Sequence, residues 1–481
     1  MYSGEGMNRE KVKLAVLWSS VEALSSVIIN FGALIYLARI LKPDDFGNLA
    51  SAQIIASLLS LILGLGLTEA VIQRKELDTK VQEVVLGFCL LLSLIAIIIS
   101  LAVILFFVYF LGNVIVGKIL IFETCGVVFT LLSILPTALL MRELKMSAFT
   151  KRTLVSKLFF FITAIPLALS GYGFWSVVFG NLMQYFSAAL LLFITVRKEL
   201  PRRIRFDFKI LKELLTFGVF VMVENVLWSV LSRVFSLLIA TFHGTYALGI
   251  YNMSTRLTDA ILNVLNTIVG RLVLPLFSRL QDDYEQLEKA FFKATQLFNL
   301  ISMPAFIGLG LTCYDWIPVI LGDEWIRIAP IIQIISVMNA IMFSRMFVGT
   351  TMKAIGQSKR FMYLSALSAF LSIMTVVITK DTSLITTMLS WTTIRIIITI
   401  PFGMYLMYKI IRITYLNQLK PIYLPFIATV IMVLLFEPLH NLFINYGFKG
   451  SVLLVLDVVC SGLVYLVSVF IFSKFRMFRG N

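Results

Sequence analysis

Charge is what this chain has least of. Charged residues make up 14% of the sequence and hydrophobic ones 59%, whereas a soluble domain carries about a quarter charged residues. A soluble globular class is thereby excluded. Histidine is nearly missing: only His243 and His440 occur, both near expected outer loops, and two such residues make no metal site alone, so none is expected. The four cysteines, Cys89, Cys125, Cys313 and Cys460, are scattered through apolar runs with neither pairing nor ligand spacing, which favours core packing over redox chemistry. Long polar loops are also lacking. The longest expected outer loop, around Tyr314–Trp325, and the longest inner one, Arg197–Glu213, leave no room for a catalytic domain. A nucleotide site is absent too, because the stretch from Gly112 to Lys118 mimics a phosphate loop but continues with Ile119 where magnesium needs a hydroxyl. The chain is therefore read as no enzyme, without cofactor, and coupling to a proton or sodium gradient is left open.

What is abundant is the apolar stretch long enough to cross a bilayer, which takes roughly 20 residues at helical rise. Fourteen are expected, from Leu14–Ile40 through Phe46–Ile72, Leu214–Thr241, Ala247–Phe277, Leu384–Tyr408 and Ile422–Leu435 to Val452–Phe472. Every second gap between them is loaded with Lys and Arg, thirty in all, and the alternate gaps hold five. Cytoplasmic loops carry the excess of cations, so both termini are expected inside. The net charge of +15 then reflects topology and contact with anionic membrane lipids, with no nucleic-acid partner.

A faint internal echo gives the expected organisation. Trp18 to Glu22 resembles Phe220 to Glu224, and the turn Asp45 to Asn48 matches Ala247 to Ile250 at the same offset of 202 residues. Six helices between copies make a parallel repeat. The fold class is an all-α membrane protein, with a cytoplasmic N-terminus 1–13, an N-lobe 14–196, a basic linker 197–213 and a C-lobe 214–410. Two extra helices over 411–473 and a cytoplasmic tail 474–481 follow. The linker is expected as a surface helix on anionic lipid.

A charge at mid-bilayer costs about 2.5–3.5 kcal/mol, so each one needs a reason. Arg233, Arg345, Arg256, Arg395 and Arg39 are candidates for an inner polar cavity, with Asn225, Asn252 and Asn263 on polar stripes beside them. Guanidinium forks match the oxygens of a diphosphate and stay protonated. Glu22, Glu224 and Asp259 are candidates for ion coupling, since a desolvated carboxylate can take up and release a proton. Blander readings stand beside these. Arg256 and Asp259 are spaced to neutralise each other on one helix face, Arg39 is placed to reach head groups, and either glutamate can pair structurally. Hydroxyl stripes such as Ser365, Ser368, Ser372 and Thr375 more often pack helices than bind ligand.

The run Leu37, Arg39, Leu41, Pro43, Asp45, Phe46, Gly47 resembles a turn of the Wzx-like polysaccharide flippases in the multidrug/oligosaccharidyl-lipid/polysaccharide (MOP) exporter superfamily, nearest the WzxC-like subgroup. Gly64 to Gln73, Gly171 to Trp175, Ala247 to Tyr251, Leu274 to Leu280 and Lys353 to Arg360 are similar to that family in the same order. The resemblance implies a V-shaped core of two six-helix lobes plus two helices. It also implies transport of an undecaprenyl-diphosphate-linked oligosaccharide from inner to outer leaflet of the bacterial inner membrane, for exopolysaccharide, capsule or O-antigen. Polymerase and chain-length proteins are the implied partners. The alternatives are an ion-coupled exporter of small amphiphiles on the same fold, a membrane glycan polymerase or ligase, and a structural subunit recruiting glycan enzymes.

Overall fold

The computed structural model describes residues 25–478 except 27–28, 31, 34, 40, 65, 75–76, 111, 143–144, 281–282, 344 and 356; it describes no side chains over 216–232, at many positions of 264–279 and at scattered others. Among the described residues the chain is helical, without a strand. Eleven helices are long and apolar enough to span a bilayer, and Met362–Ile378 is a shorter apolar one. The expected first stretch, Leu14–Ile40, lies largely outside the described residues. The chain forms two compact units, Met1–Ala240 and Thr241–Asn481.

In the first unit α1 (Pro43–Gly64) opens on a proline, which suits a helix start because its missing N–H is not needed there. The expected stretch Phe46–Ile72 is not one helix: Gly66 adopts a left-handed φ of 62° and starts a separate α2 (Leu67–Gln73). Then come α3 (Thr79–Tyr109), α4 (Val114–Leu132), α5 (Ile134–Arg142), α6 (Met146–Leu169) and α7 (Trp175–Thr195). Leu67, Val71, Val85, Cys89, Ala96, Leu131 and Leu135 form its core. The outer face of α3 shows the opposite: Leu94, Ile98 and Leu101 are all more than half exposed, as a lipid-facing helix requires.

Arg142, at the end of α5, ties α2 in place. Its Nη1 donates to the carbonyls of Val71 at 2.9 Å and Ile72 at 3.1 Å, and also to that of Arg74. These are carbonyls at the end of α2, where the helix dipole is negative.

The basic linker departs from expectation. Residues 201–207 are not helical; they run along α3, with the Arg205 N–H donating to the Glu83 carbonyl at 3.4 Å. A Cβ on Gly87 would sit 2.9 Å from the Arg205 carbonyl oxygen, so the crossing depends on a glycine beneath it. The preceding helix has already ended at Thr195 and the chain turns over 196–199 before it reaches Pro201. Helix resumes at Phe208.

That helix, α8 (Phe208–Arg279), is two helices meeting at Gly244, whose φ of 87° and ψ of 168° are open only to glycine. The two stretches Leu214–Thr241 and Ala247–Phe277 correspond to its two arms. His243, beside the break, has its Nε2 3.2 Å from the Thr387 hydroxyl.

The second unit continues with α9 (Tyr284–Leu311), α10 (Cys313–Ile320), α11 (Ala329–Phe343), α12 (Phe347–Ala354), α13 (Ser358–Ile378) and α14 (Leu384–Ile394). A π-helical turn, Arg395–Thr399, leads into α15 (Ile400–Ile411). A long hairpin of α16 (Tyr415–Asn445) and α17 (Gly450–Phe478) closes the chain. Phe277, Leu287, Phe298, Phe306, Met352 and Met407 form the core of this unit. The short expected stretch Ile422–Leu435 is the middle of α16, which runs well past it at both ends.

Candidate functional site: a polar cavity and a cation–aromatic cluster

The first unit holds a half-open cavity of about 350 Å³ between α1, α2, α4, α5, α7 and α8. Its polar wall is made by Gln53, Ser57, Ser60, Thr68, Glu123, Thr130, Tyr185 and Arg233. Glu123 is the charged group at its heart, 4% exposed. Asn181 Nδ2 donates to Glu123 Oε1 at 3.3 Å, and the Gln53 side chain bonds the same carboxyl. A buried carboxyl persists only where such partners replace water. Gly126, one turn beyond Glu123, makes room for Tyr185: a Cβ there would lie 2.5 Å from the ring. Arg233 brings a guanidinium to a wall that already holds a carboxyl.

Lys157 is a second cation at depth. It lies within α6 and is 8% exposed. Its Nζ donates to Asn30 Oδ1 at 2.9 Å and to the Ser26 carbonyl at 3.4 Å.

The second unit gathers Arg395, Trp391, Tyr251 and Met338. The Arg395 guanidinium lies over the Trp391 ring, 5.0 Å from its centroid, and Nη1 approaches Met338 Sδ at 3.8 Å. Tyr251 meets Trp391 edge-on at 6.5 Å between centroids, and Trp391 Nε1 donates to the Ser372 hydroxyl at 2.9 Å. Arg395 opens the π-helical turn, which re-aims side chains relative to a regular helix. Further along α8, Arg256, Asp259 and Asn263 are exposed while Leu257 and Thr258 are buried. Exposed charges on a helix of spanning length face water or polar groups, never lipid. Asn252, one turn earlier, has a buried Oδ1 with no hydrogen-bond partner.

Arg345 stands apart from this cluster. It occupies the break between α11 and α12, and its Nη2 donates to Gln418 Oε1 at 2.6 Å. Gln418 is itself held by the carbonyls of Met404 at 3.1 Å and Ile413 at 2.9 Å. Arg39 is exposed at the turn before α1. Glu22 lies outside the described residues, and Glu224 and Asn225 lie on α8 where no side chains are described.

A family model described as polysaccharide biosynthesis protein matches residues 36–330, more than half of the chain. The chain belongs to the polysaccharide biosynthesis protein family. Among curated relatives, it is 24% identical over 355 residues to the lipopolysaccharide biosynthesis protein WzxC of Escherichia coli, covering 69% of this chain and 67% of that one. It is likewise 24% identical over 344 residues to the succinoglycan biosynthesis transport protein ExoT of Rhizobium meliloti, covering 70% and 68%. Among solved structures, the lipid II flippase MurJ in an inward closed conformation superposes with a TM-score of 0.74 at 12% identity, over 96% of this chain and all of that one. An inward-facing multidrug resistance transporter of the MOP superfamily gives 0.56 at 13% identity, over 80% and 97%. The fold of this family member is that of the MOP transporters.

Several site residues of this family member escaped the sequence reading. Gln53, Asn181 and Tyr185 are ordinary polar residues, and nothing in the sequence ties them to Glu123. Tyr251 and Trp391 carried no signal beyond aromaticity. The place of Arg395 depends on a π-helical turn that leaves no mark in the sequence.

Proposed function

We propose that this chain is a flippase that moves a polyprenyl-diphosphate-linked oligosaccharide across the bacterial inner membrane, with undecaprenyl as the lipid, for assembly of a surface polysaccharide. It is a transporter and not an enzyme, a multi-pass membrane protein with both termini in the cytoplasm. The observation that carries the reading is Arg233 on the wall of a polar cavity inside an otherwise apolar helical unit. A guanidinium at membrane depth is costly and has a purpose when the cargo presents a diphosphate.

Arg233, Arg256 and Arg395 are assigned to the anionic head group, with Arg39 nearest the membrane surface. Asn252, Asn263 and Asn225 serve the glycan, with Trp391 and Tyr251 as stacking platforms for sugar rings. Arg345 contributes through the α11–α12 break it pins to Gln418. Glu123 joins Glu22, Glu224 and Asp259 as a group for proton or sodium coupling, because a carboxyl held by two neutral amides can change charge state during a cycle. The expected two-lobe repeat is read as moving by rocking to alternate access, and pathway polymerase and chain-length proteins are the expected partners. A second reading, export of small cationic amphiphiles, is favoured by one feature: Glu123 on the wall of a polar cavity is the complement of a cation.

The test is a deletion strain with its polymerase intact. Lipid-diphosphate-linked repeat units should accumulate on the cytoplasmic leaflet. Wild-type protein should clear them, while Arg233→Ala and Arg345→Ala should insert normally and fail to do so. Clearance by both variants removes those arginines from the mechanism; absence of accumulation favours the exporter.

A further inference from the structure

One cluster of titratable groups takes no part in the cavity or the cation–aromatic cluster. Asp315 on α10, His440 on α16 and Asp457 on α17 converge so that one donor atom of each lies within 4.8 Å of the others. Three separate helices of the second unit supply them, which is why no ligand spacing is legible in the sequence. His440 Nδ1 lies 2.8 Å from Asp457 Oδ2, and Phe436 stacks on the imidazole at 5.6 Å and 18° to fix the ring.

The second, independent observation is Asp457 Oδ1. The Asp457 side chain is 1% exposed, and this oxygen is buried with no hydrogen-bond partner. An ionised carboxylate with an orphaned oxygen carries the full desolvation penalty of that atom. A second carboxylate beside it deepens the problem. His440 Nδ1 meets one Asp457 oxygen and leaves the other without a partner.

We propose that Asp315, His440 and Asp457 bind one divalent transition-metal ion of the zinc or manganese class, which fastens the α16–α17 hairpin to α10. Two carboxylates supply the compensating charge, and the imidazole nitrogen selects such metals over magnesium or calcium. Donors at bond lengths of about 2.0–2.2 Å stand at most about 4.4 Å apart across an ion, so a small rotation of the Asp315 side chain closes the site. Binding replaces the proton between His440 and Asp457 and leaves open positions for water. The ion joins helices far apart in the chain, and the site stands independently of the flippase reading.

The experiment uses the full-length protein, purified in detergent and stripped with chelator, then titrated with zinc and separately with manganese by calorimetry and thermal unfolding. Wild type should bind one equivalent of at least one of the two and unfold at higher temperature. His440→Gln and Asp457→Asn should each weaken binding at least about tenfold, whereas His243→Gln, which removes the other histidine, should bind as wild type does. Failure of the wild type to bind either metal overturns the proposal whatever the variants do. So does wild-type affinity in His440→Gln, or an unfolding temperature that ignores both metals.

Discussion

Gly126→Ala sets two known effects against each other. In a helix interior alanine is favoured over glycine by about 0.5–1 kcal/mol, so the change alone should stabilise α4. At this position the new methyl would meet Tyr185 Cδ2 at 2.5 Å and Cε2 at 2.7 Å, where ordinary contacts between carbons begin near about 3.5 Å. One of the two helices or the ring must move by about an ångström. Overpacking of this kind costs about 1–3 kcal/mol, which exceeds the helix gain. The net expectation is a loss of up to about 2 kcal/mol, together with a displaced Tyr185 on the cavity wall and weaker glycan export. Equilibrium unfolding in detergent and clearance of lipid-linked intermediates in cells read the two consequences. Tyr185→Ala should abolish the penalty, so the double variant should show a coupling of about 1–3 kcal/mol. Gly308→Ala in α9 and Gly462→Ala in α17, which meet nothing within 4 Å, should gain the helix term alone. If Gly126→Ala is as stable as those two controls, the close approach of Tyr185 to α4 is wrong.

Three further outcomes are expected. Gly244→Ala forces a side chain onto a φ of 87° with ψ of 168°, and should cost about 1–3 kcal/mol in unfolding free energy; Gly244→Asn should not rescue it, because that ψ lies outside the left-handed helical region. Arg142→Lys keeps the charge but loses the fan of bonds to the α2 carbonyls, and should cost about 1.5–3 kcal/mol with faster amide exchange over 70–74. At the start of α9 the Gln286 N–H donates to Asp283 at 3.0 Å, and that backbone bond above all holds the Asp283 carboxyl below the usual carboxylate range. A lowered folded value means the cap acts in full above the unfolded value of about 3.9 and fades as pH falls through the folded one. Amide protection factors at 284–287 should therefore fall on acidification in the wild type, and Asp283→Asn should remove that fall.

The membrane class was legible because apolar length and loop charge are properties of single segments. The arms of α8 were legible for the same reason: both hydrophobic runs stop at the polar residues around Gly244. Breaks that depend on one backbone angle were not, and Gly66 split a stretch that reads as continuous. The linker over 201–207 was misread as helix because its cations suggested a lipid surface, while the decisive contact is with Gly87 on another helix. Site residues followed the same rule. Arg233 and Arg395 announced themselves through the cost of a buried charge. Their surroundings did not, because Gln53, Asn181 and Tyr185 come from two helices flanking Glu123, and the Gln418 that holds Arg345 lies 73 residues further along the chain. Asp457 meets its partners His440 and Asp315 only through the packing of α10 and α16 around α17.

The most direct measurement of the central claim is transport by the purified protein in sealed vesicles. Polyprenyl-diphosphate-linked oligosaccharide would be loaded into the inner leaflet and its arrival outside followed by accessibility to a lectin, with a proton or sodium gradient imposed. The account predicts glycan exposure that requires the protein and is lost in Arg233→Ala. Glycan that stays inside, in vesicles that move small amphiphilic cations under the same gradient, would contradict it.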